Sequence, residues 1–148
     1  MTAMPALSPT ETAQHVRDAM LANDRATRMM GIVIREVGPG SAIAEMRVRQ
    51  DMLNGHEICH GGFVATLADT AFAFACNSYN EVSVASSFSI ELLAASREGD
   101  VLSADCAEVS RAGRTGLYDA TVTNQRGERV AMFRGRSYTA RGKPVTTL

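Results

Sequence analysis

The sequence predicts an α+β fold in which an antiparallel sheet curls around one long central helix, with a second helix at the N-terminus. Two observations carry this prediction. Residues 63–76 form an Ala-rich stretch that is apolar on nearly all sides, which is typical of a buried helix, and strand patterns of period two lie on both sides of it. One helix and one sheet can cover each other only if the sheet wraps around the helix.

The chain length fits a single domain that spans residues 1–148. A chain of 148 residues is long enough for one hydrophobic core and short for two. We expect residues 1–9 and 142–148 to be flexible tails, because neither segment shows a periodic apolar pattern.

The sequence favours a cytoplasmic location. It has no run with the length of a bilayer-spanning helix, and residues 1–10 lack the basic and apolar parts of a secretory signal. Its three cysteines are odd in number and widely spaced, so we expect reduced thiols and no disulfide framework.

The first third of the chain predicts a helix followed by a β-hairpin. Apolar residues at helical spacing predict an amphipathic helix at residues 10–22, with Thr10 as its N-cap. Residues 32–37 and 42–48 predict two strands, and the sequence Gly38-Pro39-Gly40 predicts the turn between them.

Four more strands are predicted after the central helix, at residues 82–92, 101–109, 115–123 and 129–139. Short turns separate them, which favours an antiparallel meander. In the first of these strands, four apolar residues alternate with polar ones and should share one face: Val84, Phe88, Ile90 and Leu92.

The charge pattern excludes a general polyanion binder, because the net charge is −1. The C-terminal region nevertheless contains eight basic residues and only two acids (Asp119 and Glu128). The basic residues are Arg111, Arg114, Arg126, Arg129, Arg134, Arg136, Arg141 and Lys143. Two interpretations stay open: a solvated sheet face, or a local site for a small phosphorylated ligand. A nucleic-acid surface is disfavoured, because the region has few aromatic residues and no known motif.

Asp69 is the residue that most needs an explanation, because it lies on an otherwise apolar helix. Burial of an unpaired carboxylate is costly or raises its pKa. One interpretation is structural: a backbone amide or an arginine at a subunit contact satisfies the carboxylate. The other is catalytic, since functional sites often hold such groups.

The loop before the central helix favours the catalytic interpretation. His60-Gly61-Gly62 stands where the helix is expected to begin, and glycines allow a ligand to approach the backbone closely. The first N–H groups of a helix have no intrahelical acceptor, so they could hold a carbonyl oxygen as negative charge develops on it. The alternative is an ordinary tight junction between loop and helix.

Other chemistries have weaker support. His56, Cys59 and His60 match no closed zinc site, so we expect no metal. A Cys59 thiolate beside His60 is possible, but adjacent loop residues seldom point at each other. The sequence contains neither a Gly-x-Ser-x-Gly elbow nor a P-loop.

Several motifs resemble the hotdog-fold acyl-CoA thioesterases, and in particular their PaaI type, which acts on phenylacetyl-CoA in phenylacetate degradation. The resemblance covers about residues 19–138 and is most specific in the spacing from His-Gly-Gly to Asp. The matching segments are Met52-Leu53-Asn54-Gly55-His56, Cys59-His60-Gly61-Gly62, Leu67-Ala68-Asp69-Thr70-Ala71-Phe72-Ala73 and Phe133-Arg134-Gly135-Arg136-Ser137.

The resemblance implies a hydrolase that forms dimers with shared active sites, and usually homotetramers. It implies that Asp69 acts as general base or nucleophile, and that the Gly61 N–H polarises the thioester carbonyl from the opposite subunit. It further implies that Asn54 and His60 orient the thioester. The turn that contacts coenzyme A matches Arg111, Gly113, Arg114 and Thr115. No cofactor or metal is implied.

The chain departs from the family in one place and leaves two rival functions open. Related proteins commonly have Leu-Arg-Pro-Ala after the third strand, whereas this chain has Leu93-Ala94-Ala95-Ser96, which removes a cationic residue. We expect Phe63, Leu67 and Phe72 to line part of the acyl pocket. The rivals are a hotdog CoA hydratase or dehydratase and a non-catalytic acyl-CoA-binding protein.

Overall fold

The computed structural model describes residues 3–148, which form three α-helices and one six-stranded antiparallel sheet. The strand order is β1-β2-β4-β5-β6-β3. The elements are α1 (Pro9–Asn23), α2 (Arg25–Met29), β1 (Val33–Gly38), β2 (Ser41–Arg47), a 3₁₀ turn (Gln50–Met52), α3 (Gly61–Cys76), β3 (Ser83–Leu92), β4 (Val101–Ala112), β5 (Thr115–Thr123) and β6 (Arg129–Thr139).

Helix α1 begins one residue earlier than predicted, and its cap is Ser8, so the prediction of Thr10 as N-cap is wrong. The Ser8 hydroxyl accepts from the Glu11 N–H, and the Glu11 carboxylate accepts from the Ser8 N–H. This reciprocal pair is a capping box, and Pro9 suits the first helical position. The short helix α2 was not predicted from the sequence.

The prediction that the sheet wraps α3 is confirmed. Residues on most sides of α3 are fully buried, among them Leu67, Ala71 and Phe74. They pack in one core with inward-facing residues of β2, β4 and β5, such as Ala44 and Leu102. Burial of such side chains stabilises the fold by about 1.5–3 kcal/mol for each large aliphatic or aromatic one.

The predicted hairpin of β1 and β2 is also confirmed. Its turn places Gly40 at φ +68°, a left-handed conformation that glycine adopts without strain. An added Cβ at Gly40 would in addition lie 2.7 Å from the Tyr79 hydroxyl. The turn therefore requires glycine for two reasons.

Strand β3 is not part of a meander, contrary to the prediction. It pairs with β6 and lies at the edge of the sheet, so only β4, β5 and β6 form a meander. A bulge between Ala85 and Ser87 also breaks the predicted alternation. Val84 pairs with outward-facing Tyr138, whereas Phe88 pairs with inward-facing Gly135. Val84 therefore does not share a face with Phe88, because a one-residue insertion reverses the side of the sheet.

The two predicted flexible tails can be compared with the structure only in part. Residues 1 and 2 lie outside the described residues. At the other end, Asn80 Oδ1 accepts from the N–H groups of Val145 and Thr146, and the flexibility of residues 142–148 stays a prediction. None of the helices in residues 3–148 has the length and apolar character needed to cross a membrane.

Candidate active site

One stripe of α3 is left uncovered by the rest of the chain. Five residues form it, and each lies three or four positions from at least one other, which places them on one face of the helix. Gly62 is exposed and the other four are half-buried: Ala65, Thr66, Asp69 and Ala73. The carboxylate of Asp69 therefore lies in the middle of the only helix face that the sheet of residues 3–148 does not close.

Asp69 has no hydrogen-bond or ion-pair partner within the described part of the chain. Its partial burial disfavours the charged form and raises the pKa of the carboxyl group. A partner arginine from the same chain is therefore excluded for residues 3–148. What remains is a half-buried, unpaired carboxylate that is free to act on a ligand.

Helix α3 begins at Gly61, within the segment His60-Gly61-Gly62 where its start was expected, and this places a free amide at its first turn. His60 is the N-cap, and its Nδ1 accepts from the Gly62 N–H at 3.0 Å. Within residues 3–148, the Gly61 N–H has no acceptor. The resemblance implies a ligand-orienting role for His60, and that role stays a prediction. In the structure the His60 side chain caps the helix and leaves the Gly61 amide available.

A cavity of about 320 Å³ lies beside this amide. Its lining residues come from the loop before α3, the first turns of α3 and the segment after β3: Asn54, Ile58, Cys59, Gly61, Val64, Leu92, Leu93, Ala94, Ala95 and Ser96. An added Cβ at Gly61 would lie 2.5 Å from Leu92 Cδ1, so any side chain here would have to displace the half-exposed Leu92 side chain. The structure thus places Asn54 and Gly61 in the wall of the same cavity.

Asn54 shapes the loop that precedes the helix. Its Oδ1 accepts from the N–H of His56 at 2.9 Å and from that of Ile58 at 3.4 Å. These contacts occupy the side-chain carbonyl, so a direct contact with a ligand would have to come from the side-chain NH₂ group.

The thiolate alternative at Cys59 has no support in the geometry. Burial raises the pKa of this thiol to about 11, which keeps it protonated near neutral pH. Its Sγ lies 3.7 Å from the backbone oxygen of His60, and the His60 ring is engaged with Gly62. Residues 3–148 also contain no group of three His, Cys, Asp or Glu side chains placed to hold a metal.

Asp69 and Gly61 of one chain are too far apart to act on the same carbonyl group. They are eight residues apart on one helix, which corresponds to about 12 Å along its axis at 1.5 Å per residue. A bound thioester would need both groups within a few ångströms of one carbon atom. The two groups can therefore cooperate only if one of them comes from a second copy of the chain.

The predicted coenzyme A residues lie near the other end of α3, on two faces of the sheet. Arg111 and Gly113 line a cavity of about 280 Å³, together with Cys76, Tyr79, Glu81, Ser83, Thr139 and Arg141. Thr115 instead lines a cleft on the outer face. Arg114 donates to the Tyr138 hydroxyl at 3.3 Å. The structure therefore joins two of the four predicted residues in one cavity.

Arg111 is held in place by an aromatic ring and a carboxylate. Its guanidinium carbon lies 3.6 Å from the centre of the Tyr79 ring, and its Nε lies 3.5 Å from a Glu108 oxygen. The hydroxyls of Tyr79 and Tyr118 also donate to Glu108, at 3.1 and 3.2 Å. Stacking on a ring fixes the plane of a guanidinium and leaves its other face open to a ligand.

Sequence reasoning missed several residues of these cavities and misplaced others. Leu92, Tyr79 and Arg141 were not predicted as site residues, although Arg141 is one of the eight basic residues of the C-terminal region. Leu67 and Phe72 were expected to line the acyl pocket, but both are fully buried in the core. They face the sheet, which a sequence that is apolar on all sides of a helix does not reveal.

Comparison with known proteins agrees with this architecture. Residues 56–131 match the family model "Thioesterase superfamily". The chain is 43% identical over 120 residues to the acyl-coenzyme A thioesterase PaaI of Escherichia coli K12, covering 81% of this chain and 86% of that protein.

Two solved structures give the same picture. The structure of E. coli PaaI, from the phenylacetic acid degradation operon, superposes with a TM-score of 0.90 at 40% identity, covering 92% of this chain and 99% of that one. The Streptococcus mutans protein smu.793, bound to acetyl CoA, superposes with a TM-score of 0.71 at 28% identity, covering 74% of this chain and 88% of that one. From the helix wrapped by its sheet, the site at the start of that helix and these matches, we conclude that the chain belongs to the thioesterase superfamily and has the hotdog fold.

Proposed function

We propose that this protein hydrolyses acyl-CoA thioesters to a free acid and coenzyme A, in active sites shared between two subunits. The observation that carries the proposal is that two groups of α3 have no hydrogen-bond partner in residues 3–148: the Asp69 carboxylate and the Gly61 N–H. The similarity to E. coli PaaI, named an acyl-coenzyme A thioesterase, supports the substrate class. So does the acetyl CoA bound to the S. mutans relative.

The two groups have complementary roles in thioester hydrolysis. The Gly61 N–H, at the positive end of the α3 dipole, holds the carbonyl oxygen and stabilises the negative charge that develops there. The Asp69 carboxylate either takes a proton from the attacking water or attacks the carbonyl carbon itself. In the overall reaction a C–O bond forms, the C–S bond breaks, and the coenzyme A sulfur leaves with a proton.

The edge strand β3 supports a dimer. Strand β3 presents unpaired backbone groups along its free side, and its side chains Phe88 and Leu92 are 49% and 54% exposed. The opposite edge, β1, carries an ion pair between Arg35 and Glu45 on β2, which discourages strand pairing. A second copy that pairs along β3 would extend the sheet and cover the apolar residues.

A simple two-fold arrangement would bring the two catalytic groups together. Positions 61 and 69 both lie four residues from Ala65. In two antiparallel copies of α3 related by an axis beside Ala65, Asp69 of one helix would therefore face Gly61 of the other. Ala65 is small and half-buried, so it permits close approach of the two helices.

The two cavities divide the substrate between them. The cavity beside Gly61 has a mainly apolar wall and suits an acyl group, with phenylacetyl favoured by the similarity to PaaI. Asn54 and His60 keep the loop and the helix start in shape around it. Arg111, Gly113, Arg114 and Thr115 contribute the coenzyme A contacts, with Arg141 as a further cation.

The proposal extends to a homotetramer in the cytoplasm. The outer face of the sheet exposes Val109, Met132 and Tyr138, which would be covered if two dimers associate through their sheets. The three free cysteines agree with a reducing compartment. The mass of the assembly by light scattering tests the tetramer directly.

The experiment that tests the function measures thiol release from a panel of aromatic and aliphatic acyl-CoAs. We expect the wild type to release free coenzyme A, with phenylacetyl-CoA among the best substrates by kcat/KM. Asp69→Asn should lower kcat by at least about 100-fold, because the proton acceptor or nucleophile is lost. The same change at exposed Asp105 on β4 is the matched control and should have no effect.

Two outcomes would contradict the proposal. Addition of water to an enoyl-CoA without thiol release would indicate a hydratase, and tight binding of acyl-CoA without turnover would indicate a binding protein. Gel filtration and circular dichroism of Asp69→Asn must show that the variant remains folded and assembled, so that lost activity reports on chemistry.

A further inference from the structure

Glu108 is a partly buried carboxylate that three other side chains share. The hydroxyl of Tyr118 donates to its Oε1 at 3.2 Å, that of Tyr79 donates to its Oε2 at 3.1 Å, and the Arg111 Nε lies 3.5 Å from Oε1. The Glu108 backbone is also fixed, because its N–H donates to the Gly40 oxygen at 2.8 Å. A carboxylate held from this many sides has a defined orientation, and it orients the groups around it in turn.

A β-bulge in β4 brings Glu108 and Arg111 to the same side of the sheet. Residues three apart in a regular strand point to opposite faces, but here Val109 is an extra residue in β4. Glu108 therefore pairs with Tyr118, while Arg111 pairs with Gly116. Those two partners are two residues apart in β5, and both face inward, toward α3. The bulge thus turns Arg111 inward beside the carboxylate, and bulges next to functional sites often re-aim a side chain in this way.

The free side of Arg111 faces the cavity near the C-terminal end of α3. The guanidinium carbon lies 3.6 Å from the centre of the Tyr79 ring, and both residues line that cavity together with Arg141. Within residues 3–148, neither terminal nitrogen of Arg111 donates a hydrogen bond. Two unused donors beside a second cation suit an anion such as a phosphate. Cys76, in the same cavity, follows Asp69 by seven residues, so the cavity lies about 10 Å along the helix from the reacting carbonyl.

We propose that Glu108 is a positioning residue, which holds the Arg111 guanidinium in the orientation in which its terminal nitrogens meet a phosphate of the coenzyme A nucleotide. This inference rests on the proposed function, which assigns Arg111 to coenzyme A. The described residues that line the cavity do not include Glu108, so it acts through Arg111. Its negative charge alone would repel a phosphate. Loss of the carboxylate should therefore weaken binding if it orients Arg111, and strengthen binding if it acts only as a charge.

The experiment compares phenylacetyl-CoA with phenylacetyl-pantetheine, which carries the same thioester without the nucleotide. Glu108→Gln keeps the size of the side chain and one oxygen acceptor, but it removes the charge that attracts Arg111. We expect KM for phenylacetyl-CoA to rise by about tenfold, which is within the effect of one hydrogen bond to a charged group. The kcat should not change, because the cavity is remote from the carbonyl. KM for phenylacetyl-pantetheine should stay at the wild-type value.

Two further variants make this comparison specific. Glu45→Gln removes the acid of the ion pair with Arg35, where the side-chain exposure of 32% is close to the 27% of Glu108, and it should leave both KM values unchanged. Arg111→Met should raise KM for phenylacetyl-CoA at least as much as Glu108→Gln does. In the double variant, Glu108→Gln should add little to Arg111→Met, since a positioning residue acts only through the group that it positions.

Several outcomes would overturn the inference. An unchanged or lower KM for phenylacetyl-CoA in Glu108→Gln would show that the carboxylate does not orient Arg111. Additive losses in the double variant, or equal losses on both thioesters with a lower Tm, would show a role of Glu108 in the fold. A wild type that hydrolyses both thioesters with the same KM would show that the nucleotide is not recognised, and the inference alone would fail. If the wild type releases thiol from neither, the proposed function fails, so the two failures can be told apart.

Discussion

At the scale of single residues, Asp69 shows how a fold can accommodate a half-buried carboxylate that has no partner within the described residues. Its helix is apolar because the sheet surrounds it, and its carboxylate is tolerated only because one stripe of the helix remains open. The carboxylate has no partner within the described chain, so nothing there lowers its pKa to compensate for burial. A carboxylate with a raised pKa is a stronger base than an exposed aspartate.

The raised pKa of Asp69 predicts the acid limb of the pH profile. In the proposed mechanism the ionised form of Asp69 is the active one, so kcat/KM should fall as the pH falls through the pKa of Asp69 in the free enzyme. Because burial raises this pKa, the midpoint should lie above the value of about 3.9 for an unperturbed aspartate. A profile of kcat/KM against pH checks this, and a midpoint at or below that value would contradict it.

The same shift has a consequence for stability. A carboxyl group with a raised pKa in the folded state binds its proton more tightly there than in the unfolded chain. Stability from this group is therefore present at low pH and is lost as the pH rises through the folded-state pKa. Asp69→Asn should thus keep or raise Tm at neutral pH, which thermal unfolding followed by circular dichroism measures.

At the scale of elements, the start of α3 is the feature on which the site depends. His60 caps the helix by accepting from Gly62, which leaves the Gly61 N–H without an acceptor in the described residues. Leu92 of β3 occupies the space that a side chain at Gly61 would need. The helix cap, the close approach of Leu92 and the free N–H group are thus all found at or next to Gly61.

Gly61→Pro removes this donor with little damage to the helix. Proline is well tolerated at the first helical position, and His60 already has the extended backbone, φ −58° and ψ 131°, that a residue before proline requires. We expect kcat to fall by about 10²–10³-fold, as for other single oxyanion donors. Steady-state kinetics on phenylacetyl-CoA measure the effect.

Gly61→Ala is the matched control, because it retains the N–H. Both variants place a Cβ 2.5 Å from Leu92 Cδ1, so both require the same movement of the half-exposed Leu92 side chain. Equal losses in the two variants would show that packing against Leu92, and not the amide, accounts for the effect.

The elements also show what the sequence could and could not predict. Helical spacing identified α1, a stretch that is apolar on nearly all sides identified α3, and strand patterns identified all six strands, because each of these is a local property of the sequence. It could not place β3 at the sheet edge, since pairing with β6 is decided by tertiary packing. The bulge at Ser86 and the contact between Leu92 and Gly61 likewise depend on neighbours distant in sequence.

The candidate site was also predicted only in part from the sequence. The motif residues Asp69, Gly61 and Asn54 were predicted by the resemblance, and the structure places them beside an open helix face or a cavity. Ser96 belongs to the run Leu93-Ala94-Ala95-Ser96, which departs from a common motif. That its buried hydroxyl lacks a hydrogen-bond partner in the described residues depends on its three-dimensional surroundings, which the sequence does not reveal.

At the scale of the whole molecule, one chain carries the two proposed catalytic groups at positions that cannot meet on one carbonyl carbon. The Asp69 carboxylate and the Gly61 amide lie about 12 Å apart along α3. The free edge of β3 and the open stripe of α3 offer the surfaces through which a second copy would supply the missing half. Assembly and catalysis are therefore expected to be lost together.

Mixing two inactive variants tests this claim most directly. Asp69→Asn and Gly61→Pro are each expected to be inactive, but a mixed dimer would contain one site with neither defect and one site with both. After unfolding and refolding an equimolar mixture, we predict that about a quarter of wild-type activity returns, since half of the dimers are mixed and each has one intact site. If the mixture stays as inactive as the separate variants while assembling normally, Asp69 and Gly61 do not act across the subunit interface, and the shared-site account is wrong.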